Sequence, residues 1–304
     1  MTANPDYHID DVDIFRFSFI HLASHIPHYI ERANAYLQTI FDENPQVVII
    51  QGLSPTEYTL MGGLQSNGTL ITGDYRKTMS EKSPSVNATW VAQNIRVIEQ
   101  RTIRISEIAN NDVEHILAPD CVVVTINYRG RIMDIYNMES VSGVFNETAR
   151  MHALAIMNRD AYLTKTRRKG HFDSLLIMAG NMYAEPSSRS IRYLEGYETV
   201  KGTAPSAWRD VWDELRMTTS PDKAATQRLE TNAMFNEDIV YPQFMRAKRM
   251  SYFMVYNDVF GKIGTPISID RNGADFTDDG IPLSDTYGLD MQIYLPMFNK
   301  FITR

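Results

Sequence analysis

The sequence predicts an α/β protein built from two packed mixed β-sheets with helices on their outer faces. Three observations carry that prediction. Short apolar runs of strand length recur from Phe15 to Leu295, and only two longer stretches have helical periodicity. No low-complexity linker, internal repeat or composition shift divides the chain. Many strands with few helices favour sheet-on-sheet layers with helices outside them. Residues 1–14 read as an N-terminal extension and residues 15–304 as a single domain.

Each element has its own local signal. Phe15-Arg16-Phe17-Ser18-Phe19-Ile20 alternates as a strand does, and Pro27–Phe41 places Ile30, Ala33, Leu37 and Ile40 on one helical face. Val47–Ile50 is a continuous apolar run after the breaker Asn44-Pro45, which predicts a buried strand. Further strands are expected at Thr69–Ile71, Ala88–Gln93 and Arg96–Ile105. Cys121–Tyr128 and Arg131–Tyr136 read as a hairpin turned at Arg129-Gly130. Thr148–Lys165 reads as a helix with Ala149, His152, Ala153, Ile156 and Leu163 inward. Leu175–Ala179, Met250–Tyr256 and Leu289–Leu295 complete the strands.

Composition bounds the rest. A chain of 304 residues, 43% hydrophobic and 22% charged, buries a core comfortably. Its one cysteine, Cys121, sits in a buried-strand run and reads as a core thiol rather than a nucleophile. A lone cysteine also excludes an internal disulfide framework and points to a reducing compartment. No window approaches ~18 consecutive apolar residues and no secretory pattern opens the chain. The expected location is intracellular, cytoplasmic or nuclear, without a membrane, so the sequons at Asn67, Asn87 and Asn146 read as chance matches. A net charge of −7 argues against broad electrostatic capture of nucleic acid.

Arg16–His21, Gln46–Gly52, Tyr136–Ser140, Gly180–Tyr183, Asp210–Trp212 and Asp285-Thr286 are short motifs in a fixed order. In that order they resemble the endonuclease/exonuclease/phosphatase superfamily, and within it the 5′-tyrosyl-DNA phosphodiesterases. Arg16-Phe17-Ser18-Phe19-Ile20-His21 matches the first strand of the family, with His21 where the family has Asn. Gln46–Gly52 matches the strand that ends Gln-Glu. Either Gln51 is the family Gln and Gly52 replaces the Glu, or Gln51 replaces the Glu itself. Tyr136-Asn137-Met138-Glu139-Ser140 is similar to Thr-His-Leu-Glu-Ser, with Asn137 for His, and Arg150 heads a segment like Arg-x-x-Gln-Leu. Gly180-Asn181-Met182-Tyr183 is similar to Gly-Asp-x-Asn, with Asn181 for Asp and Tyr183 for Asn. Asp210-Val211-Trp212 resembles Asp-x-Trp. Ser251 stands for the Asp of Arg-x-Asp-x-x-Phe, and Asp285-Thr286 for Asp-His near the C-terminus.

The resemblance implies a DNase I-like four-layer α/β sandwich and a Mg²⁺-dependent phosphodiesterase ancestry. It also implies lost chemistry. Mg²⁺ takes hard, preferably anionic oxygen ligands, and each neutralised carboxylate forfeits ~4 kcal/mol or more at an effective dielectric near ~20. Neither register supplies a carboxylate at Gln51, and Asn181 cannot act as a base. Asn137 and Thr286 carry no charge to support a developing phosphate anion. The degenerate positions are therefore His21, Gln51, Asn137, Asn181, Tyr183, Ser251 and Thr286, with Asp285 kept.

Other residues carry lesser signals. His25 and His28 open a helix and read as solvated, and Lys165–Lys169 reads as a solvated basic loop. Arg246, Lys248 and Arg249 precede a strand that would edge the substrate groove and are candidate phosphate contacts. Trp90, Trp208 and Trp212 fit core or groove-wall packing, with Trp208 and Trp212 as candidate binding residues. Asp270–Asp279 is acidic, but its Gly is misplaced for a calcium loop and it reads as solvated.

The function expected is a catalytically inactive phosphodiesterase-like binding or scaffold protein, with a protein partner ahead of nucleic acid. No metal or cofactor is expected. The alternative is a divergent hydrolase on nucleic acid or a phosphorylated small molecule, using His21, Asp285 and Mg²⁺. Passive nucleic-acid binding without cleavage ranks below protein binding.

Overall fold

The computed structural model describes residues 12–22, 28–54, 67–73, 86–105, 120–141, 147–168, 174–200, 202–216, 226, 249–256, 264–274, 277, 283–284 and 286–296. They form two six-stranded mixed sheets packed face to face.

The first sheet contains β1 (Val12–His21), β2 (Val47–Leu53), β3 (Gly68–Thr72), β4 (Val86–Ala92), β11 (Thr265–Asn272) and β12 (Gly288–Pro296), in the order β11-β12-β1-β2-β4-β3. The second contains β5 (Arg96–Ile103), β6 (Cys121–Tyr128), β7 (Arg131–Asn137), β8 (Ser174–Asn181), β9 (Trp208–Asp210) and β10 (Ser251–Tyr256), in the order β5-β6-β7-β8-β10-β9. Each sheet has one parallel pair at its centre: β1 with β2, and β7 with β8. A parallel pair needs a crossover. The helix α1 (Tyr29–Asp42) supplies the first and α2 (Glu147–Arg167) the second.

Layering explains the residue patterns. Phe15, Phe17 and Phe19 meet Val122, Val124, Ile135, Ile177 and Phe253 between the sheets. On the outer face of the first sheet, Ile20, Val48 and Ile50 pack under Tyr36, Leu37 and Ile40 of α1. On the outer face of the second, Val123, Leu176 and Met178 pack under Ala153, Leu154 and Met157 of α2. β2 and β8 are thus covered on both faces, and every residue of each is buried. That is why both read as unbroken apolar runs rather than alternating ones.

The strands and two helices expected from sequence are present, with ends shifted by a few residues. β1 takes in residues 12–14, assigned from sequence to an extension; they pair with Pro296, Leu295 and Tyr294. The β6–β7 turn falls at Arg129-Gly130, both at positive φ. Two strands and two helices carried too little signal to be read: β9, β11, α3 (Arg189–Leu194) and α4 (Val211–Arg216). The first is three residues long, β11 contains Pro266 and a bulge, and each helix is six residues.

The inner face of α2 differs from the expected one. Ala149 and Ala153 are buried, but His152 and Leu163 are exposed and Ile156 is only half-buried. Polar side chains occupy the inner face instead. Asn158 bonds to Tyr193 and Trp208, and buried Arg150 bonds to the Val141 carbonyl. The basic run is not a loop either. Lys165 to Arg167 stay helical, Lys165 Nζ donates to the Ser174 carbonyl, and Arg168 pairs with buried Asp134 at 2.6 Å. Asp270 ends within β11 and pairs with Arg216 of α4; Asp275, Asp278 and Asp279 lie outside the described residues. His28 is exposed beside Glu31, and His25 lies outside the described residues. Among the described residues no helix is long and apolar enough to cross a membrane.

Candidate functional site

Both parallel pairs end at the same rim of the sandwich. β1 ends at His21, which is in register with Gln51 near the end of β2. β7 ends at Asn137 and β8 at Asn181, with Ser251 opposite Asn181 across β10. The strand ends therefore bring five separate sequence motifs together.

Of the two residues in the undecided registers, the backbone leaves Gln51 as the side chain at this strand end. Gly52 has φ +72°, and a Cβ there would lie 1.9 Å from the Leu22 carbonyl oxygen. No side chain fits at 52. Gln51 is fully buried and reaches across to the second sheet.

Gln51 sits in a closed amide network. Its Oε1 accepts from the Asn181 backbone N–H at 3.0 Å, and its Nε2 donates to Asn137 Oδ1 at 3.0 Å. Asn137 Nδ2 donates to the Ile50 carbonyl at 3.0 Å and to the Ala88 carbonyl at 2.8 Å. Asn137 thus spends both amide protons on β2 and β4 while standing on β7. These bonds tie the two sheets together at the rim. Gly180 permits it: a Cβ there would meet the Met138 carbonyl oxygen at 1.8 Å and Gln51 Nε2 at 2.5 Å.

Nearer the surface the network changes character. Asn181 Oδ1 accepts from the Tyr183 N–H at 3.2 Å, with Tyr183 held at φ 48°. Tyr183 Oη donates to Glu139 Oε1 at 3.1 Å, and His21 Nε2 lies 4.0 Å from the same oxygen. Ser284 Oγ donates to the His21 carbonyl at 2.5 Å and accepts from the Thr286 N–H at 3.4 Å. Thr286 is buried. Asp285 lies outside the described residues. Ser251 is buried, its N–H bonded to Thr226 Oγ1 at 3.0 Å and its own Oγ without a hydrogen-bond partner among the described residues.

Glu139 is the one carboxylate that the described residues place in this cluster, and the site assignment from sequence left it out. The signal was present: it is the acidic residue of the Tyr136–Ser140 segment, one position past the buried Met138 and only partly buried itself.

The residues expected to bind substrate resolve differently. Arg249 is 5% exposed and its Nη1 lies 2.7 Å from Asp210 Oδ2, with Nη2 2.9 Å from Asp213 Oδ1. It also stacks on Tyr252. The guanidinium is committed to an interior ion pair, so Arg249 is not a phosphate contact. Arg246 and Lys248 lie outside the described residues. Trp208 is 1% exposed, donates from Nε1 to Asn158 Oδ1, and packs edge-on against Tyr136 and Tyr256. Trp212 is buried in the intersheet core. Neither indole offers a stacking face, so both are corrected from binding residues to core.

The charge around Arg249 is unusual in its own right. Burial pushes Asp210 up to about 6, against the pull of Arg249. Burial, then Asp210 and Asp213, push Glu195 up to about 7. Glu195, Asp210 and Asp213 are also the one acidic group among the described residues compact enough for a metal ion. Arg249 already pairs with two of its three carboxylates, and it lies on other elements than the amide network.

A divalent cation does not fit the strand-end cluster. Gln51 and Asn137 point their oxygens at N–H donors, and Glu139 accepts from a phenol. The described residues there offer a single carboxylate where Mg²⁺ requires several oxygen ligands.

Among the described residues, two central parallel pairs, twelve strands in two sheets and flanking helices make this the endonuclease/exonuclease/phosphatase fold, also called DNase I-like. D. rerio TDP2 in complex with a single-strand DNA product superposes with a TM-score of 0.67 at 12% identity, covering 92% of this chain and 98% of that one. TDP2 from C. elegans gives 0.71 at 10% identity, over 93% of this chain and 74% of that one. The human Nocturnin catalytic domain with bound sulfate gives 0.63 at 12% identity, over 94% and 98%. No family model and no curated protein matches the sequence. At such identities the likeness establishes the fold.

Proposed function

We propose that this chain is a non-hydrolytic relative of the phosphodiesterases that share its fold, and that it acts as a binding protein for another protein. One observation carries the reading. Gln51 and Asn137, at two of the strand ends where the resemblance places a metal carboxylate and a catalytic imidazole, are neutral amides bonded to each other across the sheets. An amide pair satisfied this way neither attracts a dication nor activates water. Removal of Arg249 from the surface weakens the nucleic-acid reading, because it was one of three cations proposed for phosphate.

The test is titration calorimetry of the full chain with Mg²⁺ and Mn²⁺, beside a turnover assay on a phosphodiester. Absent binding and absent turnover support the reading. Metal-dependent turnover abolished by Asn181→Ala overturns it.

A second reading has a specific observation behind it. His21, Glu139 and Tyr183 keep an imidazole, a carboxylate and a phenol within 4.0 Å of successive partners at the rim. Such a set can move a proton without a metal. On that reading the chain is a divergent hydrolase, and His21→Ala and Asp285→Ala each remove activity while leaving the fold intact.

A further inference from the structure

The outer face of α2 is a surface that the described residues leave uncovered. His152, Ile156, Arg159, Leu163 and Thr166 follow one another at spacings of four, three, four and three residues, which puts them on a single seam. Ile156 is half-buried, packed on one side against the core beneath α2 and open on the other; Leu163 is 40% exposed, and Tyr162 beside it is 39% exposed. Ile156 and Leu163 are one heptad apart, or ~10 Å along the axis. That is the separation of two successive anchors for a packed helix.

Charge selects the occupant. The free charges along the seam are basic: Arg159 and Arg167 are exposed and make no ion pair among the described residues. The acidic groups of α2 are already engaged. Glu147 pairs with Arg150 and accepts from the Ser190 N–H, and Asp160 pairs with Arg101. In a chain of net charge −7 this is a local inversion of sign.

We infer that the α2 face docks an acidic amphipathic helix of a protein partner, with apolar side chains over Ile156 and Leu163 and carboxylates over Arg159 and Arg167. The inference rests on the binding half of the function proposed above and names its surface and partner class. A lipid surface is less well matched. Each cation near an anionic leaflet contributes only ~1 kcal/mol, and the acidic body opposes approach. Nucleic acid is less well matched because phosphate tracking uses on the order of 6–10 contacts and two arginines stand here.

The experiment uses the full chain and a labelled synthetic helical peptide about three heptads long, with Leu at the seam positions and Glu beside them. Fluorescence anisotropy is expected to show saturable binding that weakens as salt rises. Leu163→Glu and Arg159→Glu should each weaken it by about tenfold or more. Both side chains are exposed, so unchanged melting temperatures confirm folded variants. A peptide with Lys in place of Glu should not bind. No binding of the acidic peptide, or equal binding by both variants, overturns the inference. So does stronger capture by phosphatidylserine vesicles or single-stranded DNA that the same substitutions abolish. Each of these failures leaves the metal and turnover result untouched, so the two proposals fail separately.

Discussion

Replacing Gln51 by Glu places there the residue type that the resemblance implies for a metal site, and the amide network makes the change a test of the proposed function. In Gln51→Glu one carboxylate oxygen keeps its bond from the Asn181 N–H. The other faces Asn137 Oδ1 at the position where Nε2 stood 3.0 Å away, acceptor against acceptor. Asn137 cannot flip to help, because its Nδ2 already donates to the Ile50 and Ala88 carbonyls. The new charge would be fully buried and unpaired. It escapes by taking a proton, since the acid form donates to Asn137 as Nε2 did. Keeping it protonated at pH 7 costs the ~2.7 units between pH 7 and the usual Glu value of ~4.3, at ~1.4 kcal/mol each, or about 4 kcal/mol. The sign follows from a folded pKa raised above the unfolded one. The variant matches wild type below about pH 4.3 and loses stability relative to it as pH rises. Guanidinium denaturation of both proteins at pH 5, 6 and 7 measures the gap, which should widen by about 1.4 kcal/mol per unit. A variant as stable as wild type at pH 7, or one whose melting temperature rises with millimolar Mg²⁺, would refute the reasoning. Either result would mean that position 51 faces an open cation site.

Two further outcomes come from the ion pairs. Arg249→Ala leaves Asp210 buried without its partner and should cost about 3–5 kcal/mol at neutral pH; a loss below ~1 kcal/mol by chemical denaturation would show the pair to be dispensable. Glu195 is held up at about 7 by burial and by Asp210 and Asp213, so its stabilising share is present below the usual Glu range and lost as pH rises towards 7. Glu195→Gln should therefore raise the melting temperature at pH 7.5 and flatten its fall between pH 5 and 7, and an unchanged profile would place the titration elsewhere.

The strand runs of β2, β6 and β8 were legible in the sequence because both faces of each lie under apolar layers. Such burial forces an unbroken apolar string, and a string is visible in one dimension. The two crossover helices were legible as well, and so were the residue types at the strand ends, which are a matter of chemical identity and need no coordinates. The amides Gln51 and Asn181 can be read in that way.

Direction was not legible. The inner face of α2 is set by what the second sheet can accommodate, and there Asn158 and Arg150 satisfy their polar groups on Tyr193, Trp208 and the Val141 carbonyl. Those partners are 9 to 50 residues away, so no local period announces them, and Leu163 is turned out to solvent. Arg249 reads as a groove cation until Asp210 and Asp213, more than thirty residues earlier, are found beside it. The choice between Gln51 and Gly52 depended on a carbonyl of Leu22, and Glu139 became a site residue only when Tyr183 and His21 closed on it. Sequence determines which chemical groups a strand end can offer and which runs must be buried. Long-range packing decides which of those groups face each other, because a hydrogen bond or ion pair depends on separation in space and carries no trace in the spacing along the chain.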